Sequence, residues 1–241
     1  MRDNFTTTIL IPGTWKDKKD IIVAFASRKK YLFLGFLLMD IETKTKFTAG
    51  FRQDWSSEEY ETEFASLFPN QPKEQASLSI NSVFIIEAGT GCLEQLNELC
   101  DAISEVLQTG GYGVRIVNSG KVISRKAWEE LSFSNQTLFE LFVSVYSKDK
   151  GILTCGMSNF GKRDIFVPLT PDDEGINFPL SYACYVVNEQ PEIKEGETFS
   201  LAKNEPVFKI FEMEDELREP EHPYYNPYGL WRVWPQEWLD T

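Results

Sequence analysis

The stretch LEQLNELCDAISEVLQ, residues 93–108, constrains this chain more than any other. Leu96, Leu99, Cys100, Ile103, Val106 and Leu107 recur at helical spacing and form one apolar stripe, with acids and amides opposite. A helix with one such stripe must lie on another layer. SVFIIEA at 82–88 and YGVRIV at 112–117 flank it and read as buried strands. Strand, helix and strand with short links predict a parallel crossover or an α/β layer.

Before this unit the sequence reads as an antiparallel meander. TTTILI at 6–11 is a β-branched strand stopped by Pro12-Gly13. DIIVAFA at 20–26, YLFLGFLLMDI at 31–41 and TKFTAGFR at 45–52 read as further strands. In SSEEYETEFASLF, at 56–68, the period changes, with Tyr60, Phe64 and Leu67 on one helical face. The polar run at 70–79 reads as a loop and the best internal boundary. After the crossover, Ser124 caps a short helix carrying Trp128 and Leu131. Residues 138–147, 152–160, 164–169 and 206–213 read as strands, and 178–189 as a helix with Pro179 in its first turn. Together these predict an α+β protein of mostly antiparallel sheet with two to four helices. Two closely packed sub-domains are expected, at 1–135 and 136–213, followed by an acidic and aromatic arm at 214–241.

The motifs mostly exclude chemistry. TGGYGVRIVNSGK, at 109–121, is glycine-rich and ends in Gly-Lys. A phosphate loop of the G-x-x-x-x-G-K-[ST] type needs Gly at 115 and Ser or Thr at 122, where Arg115 and Val122 stand. The glycine pair also follows a helix and precedes a strand. Gly110 or Gly111 is therefore a helix C-cap. EAGTGCLEQL, at 87–96, has the order of a dinucleotide fingerprint, but Glu94 stands where its third Gly belongs, and a carboxylate there repels pyrophosphate. Small-ligand binding at the Gly89–Gly91 turn stays open as a reading.

The sole histidine, His222, lies in the irregular tail and has no evident nucleophile beside it. Cys92, Cys100, Cys155 and Cys184 form no C-x-x-C pair and read as buried thiols of a reducing compartment. PDDE at 171–174 lacks the alternating ligands of a calcium loop. No catalytic residue, metal site or cofactor is expected. A net charge of −13 disfavours nucleic acid and anionic membranes and attracts basic partners. No run is long enough to span a bilayer as a helix, and the first residues lack a signal-like apolar core, so a cytoplasmic location is expected.

The tail holds more aromatic rings than a small core requires. Tyr224, Tyr225, Tyr228, Trp231, Trp234 and Trp238 fall close together, beside Glu214 and Glu216. Aromatic anchors dominate interface hot spots, so these eight residues are the candidate partner-binding set.

One resemblance adds to this reading. The stretch from IIEAGTGCLEQL through NSGKVISRKAWEEL, with MSNFGKRDIFV, YACYVV and EIKEGETFSL after it, resembles a bacterial family described only as a domain of unknown function, over roughly residues 83–211. That resemblance implies a fold and no activity, cofactor or catalytic residue. The expected function is a non-catalytic, cytoplasmic protein-binding module with an immunity-like or adaptor role. The alternatives are a hydrolase with a carboxylate-based cleft or a small-ligand binding protein.

Overall fold

The computed structural model describes residues 5–53, 55–67, 82–148, 151–168, 177–200, 203, 206–236 and 239. The fold is α+β with mainly antiparallel sheet, and the chain forms two compact units, Met1–Phe133 and Ser134–Thr241. Among the described residues no helix is long and apolar enough to cross a membrane.

The first unit runs β1 (Thr6–Gly13), α1 (Lys18–Arg28), β2 (Tyr31–Phe33), β3 (Leu37–Asp40), β4 (Lys46–Gln53), α2 (Ser57–Phe64), β5 (Ser82–Gly89), α3 (Leu93–Gln108), β6 (Gly113–Ile116), β7 (Lys121–Ser124) and α4 (Arg125–Glu129). Its seven strands make one sheet in the order β2-β3-β4-β5-β1-β6-β7. β5 and β6 each pair antiparallel with β1, so they run parallel to each other with β1 between them. The predicted crossover through α3 exists, and β1 splits it. The α3 stripe is buried along its whole length. On the opposite face of the sheet, Phe64 of α2 packs with Val83, Leu10, Trp55 and Ile85. Arg115 of β6 holds that helix through Glu63 at 2.8 Å.

The glycine pair is a cap. The N–H groups of Gly110 and Gly111 both donate to the Leu107 carbonyl at 3.2 Å, and Gly110 has φ +128°. Those donors serve the end of α3 and not an anion. A Cβ on Gly111 would lie 2.7 Å from Ile11 Cγ2, so turn geometry requires glycine at 110 and close packing requires it at 111.

Two expectations for this unit are corrected. Residues 20–26 are helical, in α1. Asp17 caps it by accepting from the N–H of Lys19 at 2.8 Å and of Asp20 at 2.9 Å, and Asp20 accepts in turn from Lys16. Ile21 and Phe25, one turn apart, are its buried residues. The cap outweighs the β preference of Ile21, Ile22 and Val23. The single strand read at 31–41 is a hairpin instead. Gly35, at φ +88°, turns the chain between β2 and β3, and Leu34 N–H donates to Leu37 O. The loop read at 70–79 lies outside the described residues.

The second unit runs α5 (Asn135–Phe142), β8 (Ser144–Lys148), β9 (Gly151–Cys155), β10 (Asp164–Pro168), α6 (Asn177–Glu189), β11 (Thr198–Phe199), β12 (Phe208–Met213) and β13 (Leu230–Pro235). The sheet order is β11-β12-β13-β10-β9-β8, and only the β10–β13 pair is parallel. α6 packs on β8, β9 and β10 and against α5.

Three readings change here. Residues 138–142 belong to α5, capped by Ser134, whose hydroxyl accepts from Thr137 N–H. Residues 157–160 leave the strand and form a short 3-10 turn. The third change is the largest. Residues 214–235 do not form a separate arm, because 230–235 are an internal strand between β12 and β10. The chain alternates there. Trp231, Val233 and Pro235 are buried, while Arg232 and Trp234 are half-buried on the other face. An arginine among aromatic rings hides that period from a hydropathy reading.

Candidate interaction surface of the second unit

The sixteen residues between β12 and β13, 214–229, have no regular structure, yet a buried charge network fixes them. Asp164, the first residue of β10, is fully buried. One of its oxygens accepts from Thr154 Oγ1 at 3.1 Å and Met157 N–H at 3.2 Å, and the other from Arg218 Nη2 at 2.9 Å. Arg218 Nε donates to Asp215 at 2.6 Å, and the same Asp215 oxygen accepts the Asn226 N–H at 2.9 Å. Asn226 Nδ2 reaches the Lys162 carbonyl at 3.0 Å, and its Oδ1 receives Tyr228 N–H at 2.9 Å. Burial pushes the Asp164 carboxyl above its ordinary value, and Arg218 beside it opposes that shift.

The network is a latch. It ties the first part and the end of the connection to the start of β10. Beneath the connection, Leu217 and Met213 pack on the apolar cluster of Leu153, Phe166 and Leu230. The ring of Tyr224 packs at a tilt against Tyr146 of β8, with centroids 6.0 Å apart. Gly229 closes the connection at φ +86°, where a Cβ would lie 2.4 Å from the Met213 carbonyl oxygen.

The latch sorts the predicted site residues. Glu214 and Glu216 are exposed, as are Glu219 and Glu221, and none of the four pairs with a cation among the described residues. Tyr224, Tyr225 and Tyr228 are half-buried on the connection. Trp234 is half-buried on β13 with the Arg232 guanidinium 4.4 Å from its ring centre. Trp231 is different. Only 7% exposed, it lies in the core, with Arg163 stacked 5.1 Å from its ring. Trp238 lies outside the described residues. Seven of the eight candidates can thus be placed, and six of them reach the surface.

Sequence reasoning missed the latch. Asp164, Asp215, Arg218 and Asn226 are scattered along the chain, and Arg218 looks like one more charge in an acidic run. The local signal was the Asp215–Arg218 spacing of three, beside an aspartate opening an apolar strand.

The thiols need one correction. Cys100 and Cys155 are buried as expected, but Cys92 is exposed and Cys184 intermediate. All four are free. Cys155 lies 3.0 Å from Ser144 Oγ, and burial pushes its pKa up to about 11, so it is a poor nucleophile at neutral pH. In the folded chain a water-soluble thiol reagent is expected to modify Cys92 fastest and Cys184 more slowly. Cys100 and Cys155 should react only on unfolding. Prompt native modification of Cys155, read by peptide mass, would contradict its placement.

His222 is exposed on the connection. Its Nδ1 accepts Tyr224 N–H at 3.1 Å, and its ring packs edge-on against Tyr224. At the Gly89–Gly91 turn the Thr90 N–H donates to Phe5 O at 3.2 Å, and its hydroxyl bonds Thr7 at 2.5 Å, so the turn is tied to β1.

Residues 153–232 match the model of a family described as a domain of unknown function, DUF4261. The match covers about a third of the chain, running from β9 into β13, and it contains the whole latch. Residues 83–152, which carried the first half of the resemblance, lie outside it. No curated protein and no solved structure matches the chain.

Proposed function

We propose that the chain is a non-catalytic protein-binding module whose second unit receives a basic protein partner on the 214–229 connection and the adjoining face of β13. The observation that carries this reading is the latch. Ordering a loop on binding costs about 1–2 kcal/mol for each residue fixed. Here Arg218, Asp164 and Asp215 hold the connection in place beforehand, with four exposed glutamates that make no ion pair among the described residues and three half-buried tyrosines after them. Preorganisation of this kind leaves more of the contact energy as affinity. Unpaired acids around half-buried rings suit a partner bearing Lys or Arg, and they disfavour nucleic acid and anionic membrane.

This is the chemistry of an immunity-like or adaptor protein, and a bacterial cytoplasm is the setting we infer for it. A carboxylate-based hydrolase fits less well. The two carboxylates that the fold draws together, Asp164 and Asp215, are both engaged with Arg218 inside the core.

The test is affinity capture from the source organism with the wild-type chain and with Glu214→Lys, Glu216→Lys. Both positions are exposed, so the variant should fold as the wild type does. A captured protein of basic surface is expected, held at least about tenfold more weakly by the variant. Equal capture by both chains would refute this surface as the site.

A further inference from the structure

The first unit presents a surface of the opposite kind. Residues 16–30 hold six Lys or Arg against two Asp, in a chain whose net charge is −13. Arg28 and Lys30, at the far end of α1, are paired with Glu105 and Asp101. Lys16, Lys18 and Lys19 are exposed and make no ion pair among the described residues. Lys29 is also exposed and without an ion pair among the described residues, so three of the four unpaired cations stand at the start of α1. Exposed apolar side chains adjoin it. Lys18 lies along Gly35, where a Cβ would be 2.8 Å from its Cε. Gly35 is the tip of the β2–β3 hairpin, and beside it Leu34 is 49% and Phe36 69% exposed. Val23, 66% exposed, stands one helical turn beyond Lys19 on the same side of α1. Isolated exposed apolar residues need no explanation. An exposed aromatic ring at a hairpin tip that Lys18 lies along, with Lys16 and Lys19 close to Lys18 in sequence, is the composition of a docking surface.

We propose that this surface docks on the 214–229 connection of a second copy of the chain, so that copies associate head to tail. The inference rests on the reading of that connection as a site for a basic partner, and it names one such partner. The argument for this occupant is charge complementarity within one sequence. The lysines at the start of α1 have no anion, and Glu214, Glu216, Glu219 and Glu221 have no cation, among the described residues. Each surface also offers half-buried or exposed rings to the other, Phe36 on one side and Tyr224 and Tyr225 on the other. The two surfaces are different, so the contact is heterologous, and it closes into a ring or continues into longer chains. A foreign basic partner and a second copy would compete for the same glutamates.

The experiment is sedimentation velocity of the full chain over a range of concentrations, at about 50 mM and about 500 mM salt. The weight-average sedimentation coefficient is expected to rise with concentration at low salt and to stay at the monomer value at high salt. Lys18→Glu with Lys19→Glu, and separately Glu214→Lys with Glu216→Lys, should each weaken self-association at least about tenfold. An equimolar mixture of the two variants should associate again, because one good pair of surfaces remains. Thermal melts of each variant establish that it is folded. A wild-type chain that is monomeric at every concentration overturns the proposal, as does association unchanged in both variants. A monomeric chain that still captures a basic protein through Glu214 and Glu216 overturns this inference alone and leaves the proposed function standing.

Discussion

Arg218→Ala is expected to destabilise the second unit by about 3–5 kcal/mol, as removal of one partner from a buried charge pair commonly does. The side chain is 1% exposed, and both carboxylates it serves are fully buried. Without it Asp164 and Asp215 are left as adjacent buried acids with no counter-charge. The cost arises from those two stranded charges more than from the lost hydrogen bonds. A second substitution separates the causes. Arg218→Met combined with Asp164→Asn and Asp215→Asn removes all three charges and keeps much of the volume, so it should recover a large part of the loss. The measurement is chemical denaturation followed by a probe in the second unit. If Arg218→Ala costs no more than about 1 kcal/mol, the size of an exposed pair, the latch is not what orders the connection.

The second large effect separates two tryptophans three residues apart. Trp231→Ala should cost about 3–5 kcal/mol, because the ring fills the buried side of an internal strand. Trp234→Ala should cost about 1 kcal/mol, since its ring is half-buried and the main loss is the Arg232 stack. Partner capture should show the reverse order. Trp234→Ala is expected to weaken it with the fold retained. Trp231→Ala, assayed at a temperature where it is still folded, should bind as the wild type does. Equal stability losses in the two variants would mean that the register of β13 is wrong.

The elements that could be read from the sequence were those whose side chains carry their own period. The stripe of α3 and the apolar runs of β1, β4 and β5 fall into this group. α1 was misread because Ile21, Ile22 and Val23 favour strands, while the deciding interaction is the Asp17 cap a few residues earlier. The hairpin at 31–40 turns on a single residue, Gly35, inside an otherwise unbroken apolar run. β13 was missed for a different reason. Its identity depends on β10 and β12 beside it, which lie far off in sequence, and Arg232 is acceptable mid-strand only because Phe166 and Trp234 flank it. The candidate surface was half legible. Aromatic density pointed to the segment proposed here, but which rings face outward follows from strand register, and the order of the connection follows from Asp164, some fifty positions away from Arg218. Contacts of that range leave no local pattern.

The claim at the centre of this account is that the latched 214–229 connection, with the Trp234 face of β13, is the binding surface. Hydrogen exchange of the full chain, alone and with a captured partner, tests it most directly. Slower exchange is expected in the partner's presence across 214–234, with the rest of the second unit unchanged. Slowing confined to the first unit, with 214–234 exchanging as in the free chain, would contradict it.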